Sequence, residues 1–309
     1  MSKILVVGSS NTDLIATVKN LPAAGETIAG TSFLQAIGGK GANQAVAAHR
    51  LGGEVKFVTC LGTDANGQNT MKYFRETGLD VSSALLVEDA PSGTAIILVD
   101  EKGENCIVVT PGANHCLTPE YINIIKDDIA DCEIVALQME IPYETVKAVC
   151  ELAHQHRKTI MLNVAPACHL DEELIRMIDV LVVNETEAET VSGAKIADVG
   201  EDAIVEKLLT LGAKTVVLTL GKQGCILKNG QESLSVPAFE VKAVDTTAAG
   251  DTFCGALATG LASGKEWKEV IQFASAASAV CVTRMGAQPS IPAEKEVSEF
   301  LYNTLTINN

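Results

Sequence analysis

Asp251 sits in a run suited to moving a proton next to a phosphate. The segment Val244-Asp245-Thr246-Thr247-Ala248-Ala249-Gly250-Asp251-Thr252-Phe253 leads small residues into an apolar stretch, Cys254 to Leu261, that reads as a helix. The first N–H groups of a helix lack intrahelical partners and lie at its positive end, so the amides of Ala249, Gly250 and Asp251 would form an anion site. Gly250 permits close backbone approach. Asp251, in the first turn, stays ionised and can accept a proton from a hydroxyl. An anion hole beside a carboxylate base is what phosphoryl transfer to an alcohol needs. Read alone, an Asp at this position is more often a helix cap than a base.

Four further segments carry candidate chemistry. Gly38-Gly39-Lys40-Gly41-Ala42-Asn43-Gln44-Ala45 opens another helix. It is not a phosphate-binding Walker loop, which would need Gly at Leu34 and Ser or Thr at Gly41. Its glycine amides and Asn43 could bond a polyhydroxy ligand, or it could be a plain turn. In Gly8-Ser9-Ser10-Asn11-Thr12-Asp13, Asn11 and Asp13 suit vicinal hydroxyls, with an Asx turn as the alternative. Asn184-Glu185-Thr186-Glu187 could organise Mg²⁺ through water or simply start a helix. Thr219-Leu220-Gly221-Lys222-Gln223-Gly224-Cys225 could wrap a nucleotide or form a hairpin. Glu140 follows an apolar strand and is a plausible ligand contact. The five histidines show no metal or triad spacing, and Trp267 reads as a packing residue.

These segments need a scaffold. Ile4–Val7, Val55–Thr59, Ile134–Leu137, Thr159–Asn163, Val180–Val183 and Thr215–Thr219 read as buried strands. Between them, Gly41–Leu51, Tyr143–Gln155 and Asp202–Leu211 carry helical spacing. The alternation predicts a mainly parallel sheet flanked by helices, with ligands beyond the carboxyl ends of its strands. Thr27–Gln35 and a hairpin, Thr94–Val99 with Asn105–Thr110, break the rhythm and read as a small β-flap over that edge.

Composition narrows the function classes. The 309 residues carry a formal charge of −16, which argues against a protein that tracks nucleic-acid phosphates or anionic membranes. One local positive site can still hold a phosphate. Nine cysteines without a C-x-x-C pair, several in apolar runs (Cys60, Cys150, Cys254, Cys281), read as reduced thiols, and with no signal peptide visible the expected location is cytoplasmic. No uncharged apolar stretch approaches the roughly 18 residues of a membrane span.

Together the segments resemble the ribokinase, or PfkB, family of carbohydrate kinases. Gly38 to Asn43 resembles the family's first signature and Asp245 to Phe253 its second, and the likeness runs from Val7 to Ser290. It implies a three-layer α/β/α sandwich in one domain over residues 1–309, with lid segments at about 14–37 and 93–111. The implied activity is transfer of phosphate from ATP to O5 of D-ribose. The alternatives are a sibling kinase for deoxyribose, another sugar or a nucleoside, and a silent sugar-binding protein. By position the resemblance makes Asp251 the base and the amides of Ala248 to Asp251 the anion hole. Asn11, Thr12, Asp13, Gly39, Lys40, Gly41, Ala42, Asn43 and Glu140 would hold the sugar. Asn184, Glu187, Thr219 to Gly224, Gly250, Asp251 and Ser275 would serve the nucleotide, with Glu187 near Mg²⁺. Some members place a His beside the adenine where this chain has Ser275. Asp245, Thr247, Cys281, Arg284, Gly286 and Ser290 match the positions of an activating K⁺, several through carbonyls. The lid would also pair two subunits into a homodimer.

Overall fold

The computed structural model describes residues 3–307. Its strands are β1 (Lys3–Val7), β2 (Asn11–Val18), β3 (Gly30–Gly38), β4 (Glu54–Val58), β5 (Cys60–Gly62), β6 (Leu85–Val87), β7 (Gly93–Val99), β8 (Asn105–Thr110), β9 (Ile134–Leu137), β10 (Thr159–Asn163), β11 (Val180–Asn184), β12 (Thr215–Thr219), β13 (Cys225–Asn229) and β14 (Ser233–Val236). The helices are α1 (Lys40–Arg50), α2 (Ala65–Glu76), α3 (Pro119–Ile124), α4 (Lys126–Asp131), α5 (Tyr143–Gln155), α6 (Glu172–Met177), α7 (Glu185–Ser192), α8 (Ile196–Val199), α9 (Glu201–Leu211), α10 (Ala249–Ala262), α11 (Trp267–Cys281) and α12 (Glu294–Ile307).

Eight strands form the main sheet in the order β14-β13-β12-β11-β10-β9-β1-β4. From β12 to β4 every pairing is parallel, and the β13–β14 hairpin extends one edge in antiparallel register. The six sequence-predicted buried strands all belong to the parallel part. Alternate residues of β1 feed two cores: Ile4 and Val6 belong to the one that α1, α10 and α11 help to fill, whereas Leu5 and Val7 belong to the one that α5 and α9 help to fill. The result is a helix–sheet–helix sandwich, because each parallel strand of the main sheet buries both faces.

A separate four-stranded sheet, order β3-β2-β7-β8, forms the flap. Its hairpin β7–β8 matches the expectation, but the other flap strand lies three residues later than Thr27–Gln35, at Gly30–Gly38. β2 was not foreseen. Asn11 to Asp13 are not an Asx turn but the start of this strand, with Asn11 opposite Gly38 and Asp13 opposite Ala36. The polar alternation there hides a strand whose partners are supplied by distant chain.

Parallel order sets the carboxyl edge. Reading along it, Gly8 to Ser10 follow β1, Gln138 to Glu140 follow β9, Asn163 ends β10, Asn184 ends β11 and Thr219 ends β12. α1 is pulled onto this edge by its glycines. Gly39 turns the chain at φ 90, a conformation that favours glycine. A Cβ on Gly41 would stand 2.5 Å from the Ser9 amide nitrogen and 2.6 Å from the Gly8 carbonyl carbon. Gly41→Ala is therefore expected to lose about 1–3 kcal/mol of stability by forcing backbone apart, read as a lowered urea midpoint with an unchanged m-value.

Candidate active site

Asp251 lies in the first turn of α10, with only 8% of its surface exposed. Its two carboxylate oxygens accept separate amide donors: Asn43 Nδ2 at 2.9 Å on Oδ2 and Gln44 Nε2 at 3.3 Å on Oδ1. Burial pushes its pKa up, and Lys40, Asn43 and Gln44 act against that rise. Ahead of it, Ala248 adopts φ 60, ψ 11, in the left-handed region, at a cost of about 1–2 kcal/mol. That turn starts α10. Among the described residues the N–H groups of Gly250 and Asp251 have no hydrogen-bond acceptor, as expected for an anion site. The Ala249 N–H differs from expectation, because it reaches the Thr246 carbonyl at 3.2 Å.

The glycine-rich turn before α1 works differently from a set of free amides. Lys40 N–H donates to Glu140 Oε2 at 3.0 Å, Gly41 N–H to Ser9 Oγ at 3.3 Å and Ala42 N–H to the Ser9 carbonyl at 2.8 Å. The amides of Gly41 and Ala42 are thus taken by the β1 loop rather than offered to a ligand, which corrects that reading. What α1 presents instead is side chains. Half-buried Lys40 lies within the field of Asp251, Glu140 and Glu187; burial would lower its pKa, but those carboxylates outweigh it, so the ammonium stays charged. Glu140 is fixed by Ser9 Oγ at 2.6 Å. Asn11 Oδ1 accepts from Asn114 Nδ2 at 2.7 Å. Asp13 is buried on the flap, with Thr12 beside it, and no hydrogen-bond donor among the described residues reaches its carboxyl. Burial first, then the charges of Glu140 and Asp251, raise its pKa to about 7.

On the other side of the α10 N-terminus opens a cleft of about 630 Å³. Thr219, Gly221, Lys222, Gly224, Gly250 and Ser275, all among the residues expected to serve a nucleotide, line it. Leu220 is buried in the core and Gln223 lies off the wall. The Thr219–Cys225 segment connects the antiparallel pair β12–β13, as the hairpin reading has it, and also walls the cleft. Asn184 and Glu187 also lie off the wall and form a reciprocal helix cap: Asn184 Oδ1 accepts the Glu187 N–H at 2.9 Å, and Glu187 accepts the Asn184 N–H at 2.8 Å. Burial, the largest influence, raises the Glu187 pKa.

Much of the cleft was missed by sequence reasoning. Ser278, Ala279 and Val282 follow Ser275 at helical spacing, so the α11 period could have found them. Phe239, Glu240 and Val241 come from an aperiodic segment that gives no such signal. Gln138 and Asn163, which join Gln44 behind Asp251, end apolar strand runs, and that placement was the available clue.

Most of the residues that the resemblance matches to a K⁺ site meet beside α10. Asp245 Oδ1 accepts from Thr247 N and Oγ1 at 2.9 and 2.6 Å, and Oδ2 accepts from Gly286 N at 2.9 Å. Burial pushes the Asp245 pKa up, but these bonds outweigh it and hold the carboxylate ionised. The Cys281 thiol meets Ser290 Oγ at 3.0 Å. The Arg284 side chain points elsewhere, into an ion pair with Glu296 on α12. Among the described residues no group of three or more His, Cys, Asp or Glu could hold a metal.

Comparison with known proteins places the chain in a family. Residues 1–294 match the model of the pfkB family carbohydrate kinases. A ribokinase of Haemophilus influenzae is 39% identical over 96% of this chain and 98% of its own. A deoxyribokinase of Salmonella typhi is 34% identical over 96% of this chain and 98% of its own. The structure of Arabidopsis thaliana ribokinase complexed with ribose and ATP superposes with a TM-score of 0.91 at 32% identity, covering 97% of this chain and 98% of that one. The chain belongs to the pfkB family of carbohydrate kinases.

Proposed function

We propose that this protein transfers the terminal phosphoryl group of ATP to O5 of D-ribose. One observation carries the reading: adjacent residues at the α10 N-terminus face two compartments. Gly250 lines the 630 Å³ cleft, and Asp251 is held by α1 on the flap side. A nucleotide in the cleft would aim its terminal phosphate at the free amides of Gly250 and Asp251, with Ala248 setting their direction. The sugar would lie under the flap, its hydroxyls against Asn11, Asp13, Asn43 and Glu140, with Gly39 allowing the close turn. Asp251 takes the proton from the 5-hydroxyl as O5 bonds to phosphorus and ADP departs. Lys40 neutralises charge on the moving phosphoryl.

Two ions fit the residues present. Both oxygens of Glu187 already accept from Asn184. It suits the outer sphere of a hydrated Mg²⁺ held mainly by the nucleotide phosphates, where that ion supplies charge neutralisation. Asp245, ionised and oxygen-rich in its surroundings, suits K⁺ together with carbonyls of Thr247, Cys281, Arg284 and Gly286 and the Ser290 hydroxyl. From there the ion would stiffen the loop that presents the anion hole. The whole chain, 1–309, acts as one catalytic domain with the flap as lid, in the cytoplasm. The likeness to a deoxyribokinase supports a second reading, in which the sugar lacks its 2-hydroxyl.

The lid leaves apolar side chains in solvent: Phe33 is 67% exposed and Val108 57%. A second copy pairing lid to lid would cover them. Val108→Glu is expected to shift the protein from dimer to monomer in sedimentation, while circular dichroism stays unchanged.

Asp251→Ala is expected to lose roughly 10²-fold or more in kcat while still binding ribose. Near-normal turnover would overturn the mechanism. Coupled ADP release with MgATP, comparing ribose with 2-deoxyribose and K⁺ with its absence, decides the sugar and the cation; no turnover on any sugar would defeat the kinase reading. Asp13 gives a pH signature. Its folded pKa, about 7, lies above the ordinary 3.8. The free protein therefore holds this proton longer than the unfolded chain and loses stability as pH rises from 3.8 to about 7. Sugar hydroxyls donate to the ionised form, so ribose affinity should rise between about pH 6 and 8. Asp13→Asn should flatten that rise, as calorimetry at several pH values would show.

A further inference from the structure

Behind Asp251 lies a chain of buried amides that contacts neither compartment. Gln44 Nε2 serves both Asp251 Oδ1 at 3.3 Å and Asn163 Oδ1 at 3.2 Å. Asn163 Nδ2 is committed to the Val182 carbonyl at 3.3 Å. Gln44 Oε1 faces away and accepts from Gln138 Nε2 at 2.7 Å. Gln44 and Gln138 are 1% and 0% exposed. Gln138 Oε1 has no partner and lies over Gly8, where a Cβ would stand only 2.0 Å from it.

The orientation of this chain is forced. An ionised carboxylate only accepts, so Gln44 must turn its NH₂ toward Asp251. Turned over, Gln44 would set its oxygen against two acceptors and its NH₂ against that of Gln138. Only the Gln138 donor makes the working orientation fully satisfied at Gln44. The cost appears at the far end, as the orphaned Gln138 oxygen, and such buried orphans are rare.

We propose that Gln44, oriented by Gln138, is a positioning residue that holds the Asp251 carboxylate in a single rotamer, with the lone pairs that Asn43 and Gln44 leave free turned toward the substrate hydroxyl. The inference rests on reading Asp251 as the base. The titratable and charged groups that face Asp251 are Lys40, Glu140, Asp13, Glu187 and the Cys254 thiol. All of them remain when Gln138 is changed.

Gln138→Met keeps length but removes the donor, so Gln44 Oε1 is left without a partner and the Gln44 amide is no longer anchored for donation to Asp251. The full-length protein, labelled with ¹³C at aspartate carboxyls, reads this without substrate, the Asp251 resonance being assigned by its loss in Asp251→Asn. The expected result is a titration midpoint raised by about one pH unit, because a donor to the charged form is lost. The acidic limb of kcat should move equally. Well below the wild-type midpoint the variant should turn over about tenfold more slowly than wild type, recover to within about twofold well above it, and bind ribose unchanged. A midpoint equal to wild type, or a uniform rate loss at every pH, overturns the proposal. Should Gln138→Met fail to fold, Gln44→Met reads the same titration. A wild-type protein that phosphorylates no sugar defeats the base reading, while the carboxyl titration still decides whether the amides orient Asp251.

Discussion

A carboxylate kept out of water must be held by donors, and much of this molecule serves that requirement at Asp251. Ionised carboxyl groups are costly to bury, and each hydrogen bond to a charged group returns about 1.5–3 kcal/mol. The donors, Asn43 and Gln44, stand on α1 rather than on the helix that carries Asp251. α1 and α10 must therefore approach closely. They do so through small residues: a Cβ on Gly255 would lie 2.5 Å from the Ala47 Cβ and 2.8 Å from the Gln44 carbonyl oxygen. Close packing of two helices is thus a condition of the charge state of one side chain.

The same arrangement explains how a protein with a net charge of −16 can handle an anionic cofactor. Positive potential is local. It comes from two free amides at a helix N-terminus, from Lys40 held cationic by surrounding carboxylates, and from Lys222 on the cleft wall. Such short-range fields act within the site, and the outer surface is free to be acidic.

Much of the fold was legible because parallel strands buried on both faces leave continuous apolar runs, and helices such as Tyr143–Gln155 declare their period. Asp251 was legible because small residues, a glycine and an acid in the first helical turn form a compact local signal. β2 was not, because its polar start, Asn11 to Asp13, mimics a turn, and its neighbours in the flap lie far along the chain. The glycine-rich turn was misjudged in kind: its glycines let α1 pack on Gly8 and Ser9, a contact invisible without the partner strand.

The linear order of residues, by itself, determined the α/β class, the positions of the six buried parallel strands, the two signatures and the carboxylate proposed as the base. These depend on local periodicity and on spacing within one turn. The tertiary structure alone decided that Gln138 and Asn163 stand behind Asp251, that Phe239 and Val241 wall the cleft, that Arg284 turns to Glu296 and that Asp13 holds its proton to about pH 7. Each of those depends on which segments meet across the carboxyl edge of the sheet. Burial and pairing between separate segments, 94 positions apart for Gln44 and Gln138 and 119 for Gln44 and Asn163, leave no mark on any one stretch of sequence.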